Sequence, residues 1–590
     1  MGPIHQANSE EFMAAPFLSV IAVFCITALA HAQLYTHLDL SEVANDGGSS
    51  ASVCFVDIDN DGDLDLFITN DEETQGNFLY LNDGAGEFSA VDDDPILETG
   101  GHNVGATWGD YDNDGDVDCF IARWGNQANK LYTNNGDGTF VSTDLPPLTN
   151  MQSYSETASW GDYDANGRLD LFVTNSAGTG HYNFLYRAIN ESAFADVLMA
   201  PISTDGDDSR FAGWCDYNDD GLLDVFVANE NLDNDALYHN DNGTTFSRVI
   251  GANPGTDGSS NFTASWGDID LDGDFDLFVG TYGGTSLLYR NTGGTFERIT
   301  GSPVSADNRF AVGSAFADYD NDGDLDLLVT NGFAPSNNTF RHNYLYDNDG
   351  AGNFTRAISE PIEADSGWGF GCAFGDMDDD QDLDLCIARS RNANEDNLLY
   401  RNTQTQNNGV VFKLRGTTSN RSAIGAKVRV GNMIRQVEGQ NGYCGQTLDV
   451  HFGLGQGTEI DTVFVTWPTG VTEIFVDVAA NNIYTITEGT GMVNVDDRTT
   501  PVATNHLVLT SYPNPFNANI TLESTLPARE KTRVQVFNTL GQEVTTLHNA
   551  VAGPGVLKLN WQPTALSSGS YIVTVTQGAV ADSQTIQFVK

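Results

Sequence analysis

Seven times between Asp57 and Asp384 the chain repeats the pattern D-x-[DN]-x-[DN]-[GQ]-x-x-D, with copies starting at Asp57, Asp110, Asp162, Asp216, Asp268, Asp318 and Asp376. Successive starts lie 50 to 58 residues apart. A period of this size implies a repeat architecture, because a unit that short cannot bury its own apolar faces without neighbours. An aromatic stands two residues before each motif: Phe55, Trp108, Trp160, Trp214, Trp266, Phe316 and Phe374. After each motif comes an apolar run, from LDLFIT in the first copy to LDLCIA in the last. Such runs predict strands covered on both faces. A Leu-Tyr pair ending at Tyr80, Tyr132, Tyr186, Tyr238, Tyr289, Tyr346 and Tyr400 marks a further strand, and Phe88, Phe140, Phe194, Phe246, Phe296 and Phe354 open another behind Asn/Asp/Gly turns. Four short strands in about fifty residues make one propeller blade.

The ring predicted from seven units has to close. Each of those six phenylalanines precedes the next motif by 22 residues, and Tyr35 precedes Asp57 by the same 22. No aromatic-led strand of this kind follows Tyr400 before the composition changes. The segment LYTHLDLSEV is therefore expected to supply the strand that the seventh unit lacks, hiding the edges an open stack would expose. The predicted fold is all-β: a seven-bladed propeller over 33–405, a small β domain over 406–490, a linker over 491–508, and an immunoglobulin-like sandwich over 509–590.

Oxygen ligands on alternate residues, with a glycine at the sixth position for the turn, suit a hard cation such as Ca2+. In copy one the ligands would be the side chains of Asp57, Asp59, Asp61 and Asp65 with the carbonyl of Asp63. The corresponding sets are Asp110, Asp112, Asp114, Asp116 and Asp118; Asp162, Asp164, Asn166, Arg168 and Asp170; Asp216, Asn218, Asp220, Leu222 and Asp224. They continue as Asp268, Asp270, Asp272, Asp274 and Asp276; Asp318, Asp320, Asp322, Asp324 and Asp326; Asp376, Asp378, Asp380, Asp382 and Asp384. Up to seven Ca2+ ions are expected. The neutral Asn166 and Asn218 should weaken copies three and four, and Gln381 in place of glycine makes copy seven the one expected to stand empty. An EF-hand is excluded, because position twelve holds Ile68, Ile121, Val173, Val227, Val279, Val329 and Ile387 where that motif needs a bidentate Glu. Extracellular calcium modules work at dissociation constants of roughly 10⁻⁴ to 10⁻³ M, so the ions are expected to stabilise and not to signal.

The charge balance agrees. Of a formal net charge of -56, residues 33–405 carry -53. A surface made acidic for its own sake would not stop at residue 405, and the balance argues against nucleic acid or anionic membrane as partners. At the other end, FLSVIAVFCITALA (Phe17–Ala30) followed by Ala30-His31-Ala32 reads as an export signal cleaved before Gln33, with Met13 as the working start. The run is too short to span a bilayer. Cys25 would leave with it, and the remaining six cysteines read as buried thiols, without zinc spacing or a disulfide framework.

At these motifs the chain resembles FG-GAP/VCBS-type repeats, the calcium-bearing blades also found in integrin alpha subunits. TSNRSAIGAKVRV (418–430), HFGLG (451–455) and VTWPTG (465–470) resemble the ASPIC-type domain, which commonly follows such propellers, as in relatives of cartilage acidic protein. SYPNPFNANITLES, TRVQVFNTLGQEVTTL and SSGSYIVTV resemble the type A sorting domain of the type IX secretion system. The resemblance implies a secreted or outer-surface protein handed to the export machinery by its tail.

No G-x-S-x-G, H-E-x-x-H or phosphate-binding glycine loop is present. His451 in HFGLG is the most tempting catalytic candidate, yet it reads better as a packed or turn-stabilising residue. The expected function is a non-enzymatic surface scaffold that binds an extracellular glycan or protein through propeller loops of variable length. Trp124, Tyr182, Tyr282 and Phe333 are the candidate loop aromatics. The alternatives are a polysaccharide-degrading enzyme (a glycan lyase or hydrolase) on the same scaffold and a purely structural surface protein.

Overall fold

The computed structural model describes residues 33–590 except 40, 179–180, 252–253, 257, 333–341, 390–394, 495–507, 513, 527–529, 539–541, 553–554, 564–565 and 578–579. The export signal, most of the linker and Phe333 lie outside the described residues.

In each repeat the apolar run after the motif becomes the second strand of a four-stranded antiparallel sheet. The first sheet is Ser50–Val56, Asp65–Asn70, Phe78–Asn82 and Phe88–Ala90. Asp65–Asn70 is buried along its whole length, as a strand between two covered faces must be. The aromatic ahead of the motif fills the gap between neighbouring sheets. Trp160 stacks on Tyr111 of the preceding repeat with ring centres 6.3 Å apart, and Trp214 stacks likewise on Tyr163 at 6.2 Å.

The first strands are Ser50–Val56, His102–Gly109, Ser155–Gly161, Ser209–Cys215, Asn261–Gly267, Asn308–Ala317 and Gly369–Gly375. Each touches the next, and the last touches the first. The sheets therefore form a closed, propeller-like ring. Tyr35–His37 completes the last sheet by pairing with Leu398–Asn402, with Tyr35 opposite Asn402 and His37 opposite Tyr400. Tyr35 is fully buried, its hydroxyl donates to the Leu383 carbonyl at 2.8 Å, and its N–H donates to the Glu360 carboxylate at 3.0 Å. Sheets five and six depart from the simple repeat: Asp276–Thr285 runs past its own sheet and pairs with Asn308–Ala317, setting Tyr282 opposite Phe310. Gly283, at φ +73°, provides the bend.

The second domain consists of two four-stranded sheets, one of which sets Asn408–Arg415 parallel to Ile483–Thr487. It ends later than the sequence suggests, because Gly491–Asn494 pairs with Ile483–Thr487 and so belongs to the sheet, not to the linker. Four residues without alternation carry no strand signal of their own. In the tail, Val508–Tyr512, Ile520–Leu526 and Gly555–Trp561 form one sheet, and Glu530–Asn538, Glu543–Ala552, Gly569–Gln577 and Val580–Phe588 form another. Both contribute to one core that includes Ile520, Leu522, Val534, Val573 and Ile586. The six described cysteines are all buried and free.

Candidate metal centre

Each motif is the turn between the first and second strands of its sheet. In copy two, Asn113 and Gly115 have φ of 59° and 112°. The sixth position was expected to be left-handed, and Gln381 is so too at 66°. The fourth position was not expected to be, yet Ala165 and Leu271 hold φ of 51° and 58° there, at a cost of about 1–2 kcal/mol each. Hydrogen bonds to the first aspartate impose the shape. Asp110 accepts from the N–H of Asp114 at 3.0 Å and of Gly115 at 2.8 Å, and Asp162 and Asp216 accept from the equivalent residues.

The ninth aspartate has a structural task that spacing alone did not reveal. Asp118 accepts from the N–H of Tyr111 at 3.2 Å and of Asn134 at 2.9 Å, and Asp276 accepts from Ile269 at 2.9 Å and Asn291 at 2.7 Å. It thus clasps its own loop to the third strand. Two seventh-position side chains meet partners at the edge of the loop, Arg168 pairing with Glu191 at 3.3 Å and Asp116 accepting from Asn60 of the neighbouring loop at 2.8 Å, whereas Asp324 and Asp382 are buried.

Carboxylate oxygens from three residues lie within 4.8 Å of one another in at least five copies: Asp57, Asp59 and Asp61; Asp110, Asp112 and Asp118; Asp162, Asp164 and Asp170; Asp268, Asp270 and Asp276; Asp318, Asp320 and Asp326. Several of these oxygens are buried without a hydrogen-bond partner, namely Asp57 Oδ1, Asp112 Oδ1, Asp270 Oδ1, Asp318 Oδ1 and Asp326 Oδ2, as is Asp378 Oδ1 in copy seven. Arginines hold the other oxygen in two cases, Arg290 at Asp270 Oδ2 (2.6 Å) and Arg401 at Asp378 Oδ2 (3.2 Å). Burial, reinforced by the neighbouring carboxylates, pushes Asp110 up to about 7, Asp276 up to about 8 and Asp118 up to about 9. Asp318 and Asp326 are likewise raised well above the usual carboxylate range, again chiefly by burial. Converging, orphaned carboxylate oxygens that resist ionisation on their own are a donor set suited to a cation, and an all-oxygen set suits a hard one.

A recurrent asparagine two residues after each Leu-Tyr tyrosine ties the sheets together at this level. Asn291 is fully buried; its amide donates to the Phe275 carbonyl of its own loop at 3.1 Å and to the Tyr217 carbonyl of the preceding loop at 2.7 Å. Asn82, Asn134, Asn240, Asn348 and Asn402 make the same two bonds. Copy three has Ala188 at this place. The signal was visible as LYLN, LYTN, LYHN, LYRN and LYDN, but the pairing across repeats was not.

The second domain sits on this loop face. Ser422 Oγ accepts from the Asp110 N–H at 2.8 Å, Lys413 donates to the Gly62 carbonyl at 2.6 Å, and the Gly453 N–H donates to Asp318 Oδ2 at 2.9 Å. Between Val437 and Leu448 the chain enters the centre of the ring. Gly439 accepts from Thr107 Oγ1 at 2.6 Å, the Gly442 N–H donates to Ala264 at 2.9 Å, and the Tyr443 hydroxyl donates to Glu156 at 2.7 Å. Tyr443 is enclosed by Ala51, Val104, Phe262, Val312 and Phe370, from five different first strands. His451 is buried, its Nε2 is 3.0 Å from the Gln381 carbonyl, and burial lowers it to about 4. It lines a 120 Å³ cavity between ring and domain with Asp318, Arg435 and Glu438.

The loops joining second and third strands project from the opposite face, since antiparallel strands place successive turns at opposite ends. There Trp124 packs edge-on against Tyr154 at 5.3 Å and Tyr282 stacks on Phe262 at 4.7 Å, whereas Tyr182 is 52% exposed.

Three family models match the chain. Residues 57–121, 110–173, 216–279 and 268–329 match the FG-GAP-like repeat, 416–493 match ASPIC and UnbV, and 510–589 match the secretion system C-terminal sorting domain. The sorting tail marks a secreted or cell-surface protein linked to the type IX export machinery. Among the described residues no helix is long and apolar enough to cross a membrane. Cartilage acidic protein 1 of Homo sapiens is 30% identical over 179 residues, and that of Xenopus tropicalis 28% identical over 176. Each alignment covers 28% of this chain and 26% of the relative, so the chain matches about a quarter of those proteins' length. Among solved structures, PorZ, a surface component of the Porphyromonas gingivalis type-IX secretion system, is similar at 13% identity, covering 92% of this chain and 81% of that one, with a TM-score of 0.22. The Dos1 propeller is similar at 10% identity, covering 63% of this chain and 95% of that one, with a TM-score of 0.37. Overlaps this slight do not bear on the activity or ligand of this chain.

Proposed function

We propose that the chain is an exported, non-enzymatic recognition scaffold: a seven-bladed propeller stabilised by calcium in its loops and followed by an immunoglobulin-like sorting tail. The observation that carries the reading is the convergence of carboxylate oxygens in the same turn of at least five repeats, several of those oxygens being buried without a partner. In each loop the aspartates would hold the ion, which would supply the positive charge that cancels their repulsion. The ninth aspartate and the asparagine latch transmit that order to the sheets.

The loop face is engaged by the second domain, which leaves the opposite face for an extracellular glycan or protein. Exposed Tyr182 stands among the variable loops of that face, where a sugar ring or an apolar side chain can stack. A non-enzymatic role is supported by the engagement of the repeated aspartates in loop architecture and by the burial of His451 beneath the second domain. The purified chain applied to glycan and extracellular-protein arrays in calcium tests this. Binding that Tyr182→Ala weakens supports the reading, while absence of any ligand, or turnover of a bound glycan, refutes it.

A further inference from the structure

The fourth loop carries a lysine on its first ligand position, whereas Arg187, Arg290 and Arg401 meet the third position of the third, fifth and seventh loops. Lys427 of the second domain places its ammonium 2.7 Å from Asp216 Oδ2 and 2.7 Å from Asp219 Oδ1. The lysine side chain is 12% exposed and the Asp216 side chain 3%, so the pair is shielded from water. Asp216 is the first ligand position, and its two oxygens already accept from the N–H groups of Asp220 and Gly221 at 3.0 and 2.9 Å. The third position is the neutral Asn218, whose Nδ2 lies 3.1 Å from His239 Nδ1. That same imidazole nitrogen lies 3.0 Å from Oδ1 of Asp224, the ninth position. The seventh position is Leu222. Asp216 and Asn218 thus each meet a partner from outside the loop, Asp224 keeps one buried oxygen, Oδ2, without a partner, and an ammonium stands on the first ligand position.

We infer that the fourth loop takes no divalent ion: the Lys427 ammonium is its resident cation, and the loop serves as the socket that pegs the second domain to the ring. Two neighbouring contacts support the peg. Gln436 Nε2 donates to the Trp214 carbonyl at 3.1 Å, just before the loop, and Lys427 heads the strand Lys427–Val430, whose apolar residues Val428 and Val430 lie in the core shared with the ring. A dication a few ångströms from a buried ammonium would be repelled, while the ammonium itself offers three donors to the acceptors around it. Loop sequence alone pointed to copy seven as the empty site because of Gln381. The structure gives copy seven the same left-handed turn as the others, with an arginine on its third position and an orphaned Asp378 Oδ1, whereas copy four has its lysine on the first position.

The inference rests on calcium binding by the other loops, so its test separates the two. Calcium bound per chain is measured by equilibrium dialysis for the wild type, Asp268→Asn and Asp216→Asn. The expected result is one ion fewer for Asp268→Asn and no change for Asp216→Asn. Asp220→Asn, at a more exposed position of the same loop, serves if Asp216→Asn fails to fold, with the same expectation. Loss of an ion from either loop-four variant, or seven ions on the wild type, overturns the inference. Melting of Lys427→Met supplies the second readout. A lower midpoint than wild type both in calcium and in chelator supports the peg, and an unchanged midpoint in both overturns it. If the wild type binds no calcium at all, the calcium reading fails, and the chelator melt alone decides the peg.

Discussion

Withdrawing the cation should invert the usual pH dependence of an aspartate-rich protein. In the metal-free ring, burial holds Asp110 near 7, Asp276 near 8 and Asp118 near 9, whereas an unfolded chain ionises its aspartates near 3.9. Between those limits the folded state binds more protons than the unfolded state, so stability is fully present below about pH 4 and is lost as pH rises through the folded values. For the fully buried Asp276 the loss between pH 4 and pH 7 is about 4 kcal/mol, since each pH unit over which only the unfolded group is ionised costs about 1.4 kcal/mol. Metal-stripped protein melted across pH 5 to 8 should therefore show a midpoint that falls as pH rises. In millimolar calcium the loop protons are displaced and the fall should disappear, so that the two curves diverge toward alkaline pH. Parallel curves, or a metal-free midpoint that rises with pH, would refute the reasoning that buried loop carboxylates are held for a cation.

Further expectations follow from single positions. Asn291→Ala strips hydrogen bonds from the carbonyls of Tyr217 and Phe275 and from the Gly294 N–H, which should cost about 2–4 kcal/mol in urea unfolding; a loss below 0.5 kcal/mol would deny the latch its role. Gln381→Gly relieves a left-handed side-chain-bearing residue at φ +66° and should stabilise the chain by about 1 kcal/mol. Gly442→Ala would put a Cβ 1.4 Å from the Ser314 carbonyl oxygen, expelling the finger from the ring and exposing the 437–448 segment to limited proteolysis while the ring stays folded.

Much of the ring was legible because a repeat multiplies weak signals: one Asp-rich turn says little, whereas aromatics, apolar runs and Leu-Tyr pairs in register define a unit. Closure by Tyr35 could be read because the 22-residue offset is set by strand and turn lengths that every unit shares. The ligand positions were legible only by type. That Asp118 and Asp276 also clasp the third strand depends on which N–H groups the fold brings near, and sequence spacing does not encode that. The asparagine latch was visible as a recurring letter, but its partner lies in a different repeat. Least legible was the second domain's finger, because VEGQNGYCGQTL has neither helical nor strand periodicity and takes its shape from the channel it fills. In AKVRV the sequence sets Lys427 in alternation with Val428, the pattern of a solvent-facing side chain, and only the docking of the domain brings it against Asp216.

Crystals of the mature chain grown in millimolar calcium would test the central claim most directly. The account predicts ion density in the second loop, coordinated by carboxylate oxygens of Asp110, Asp112, Asp114 and Asp118, and the same in the loops beginning at Asp268 and Asp318. Water alone at those oxygens, with every loop bare under saturating calcium, would contradict it.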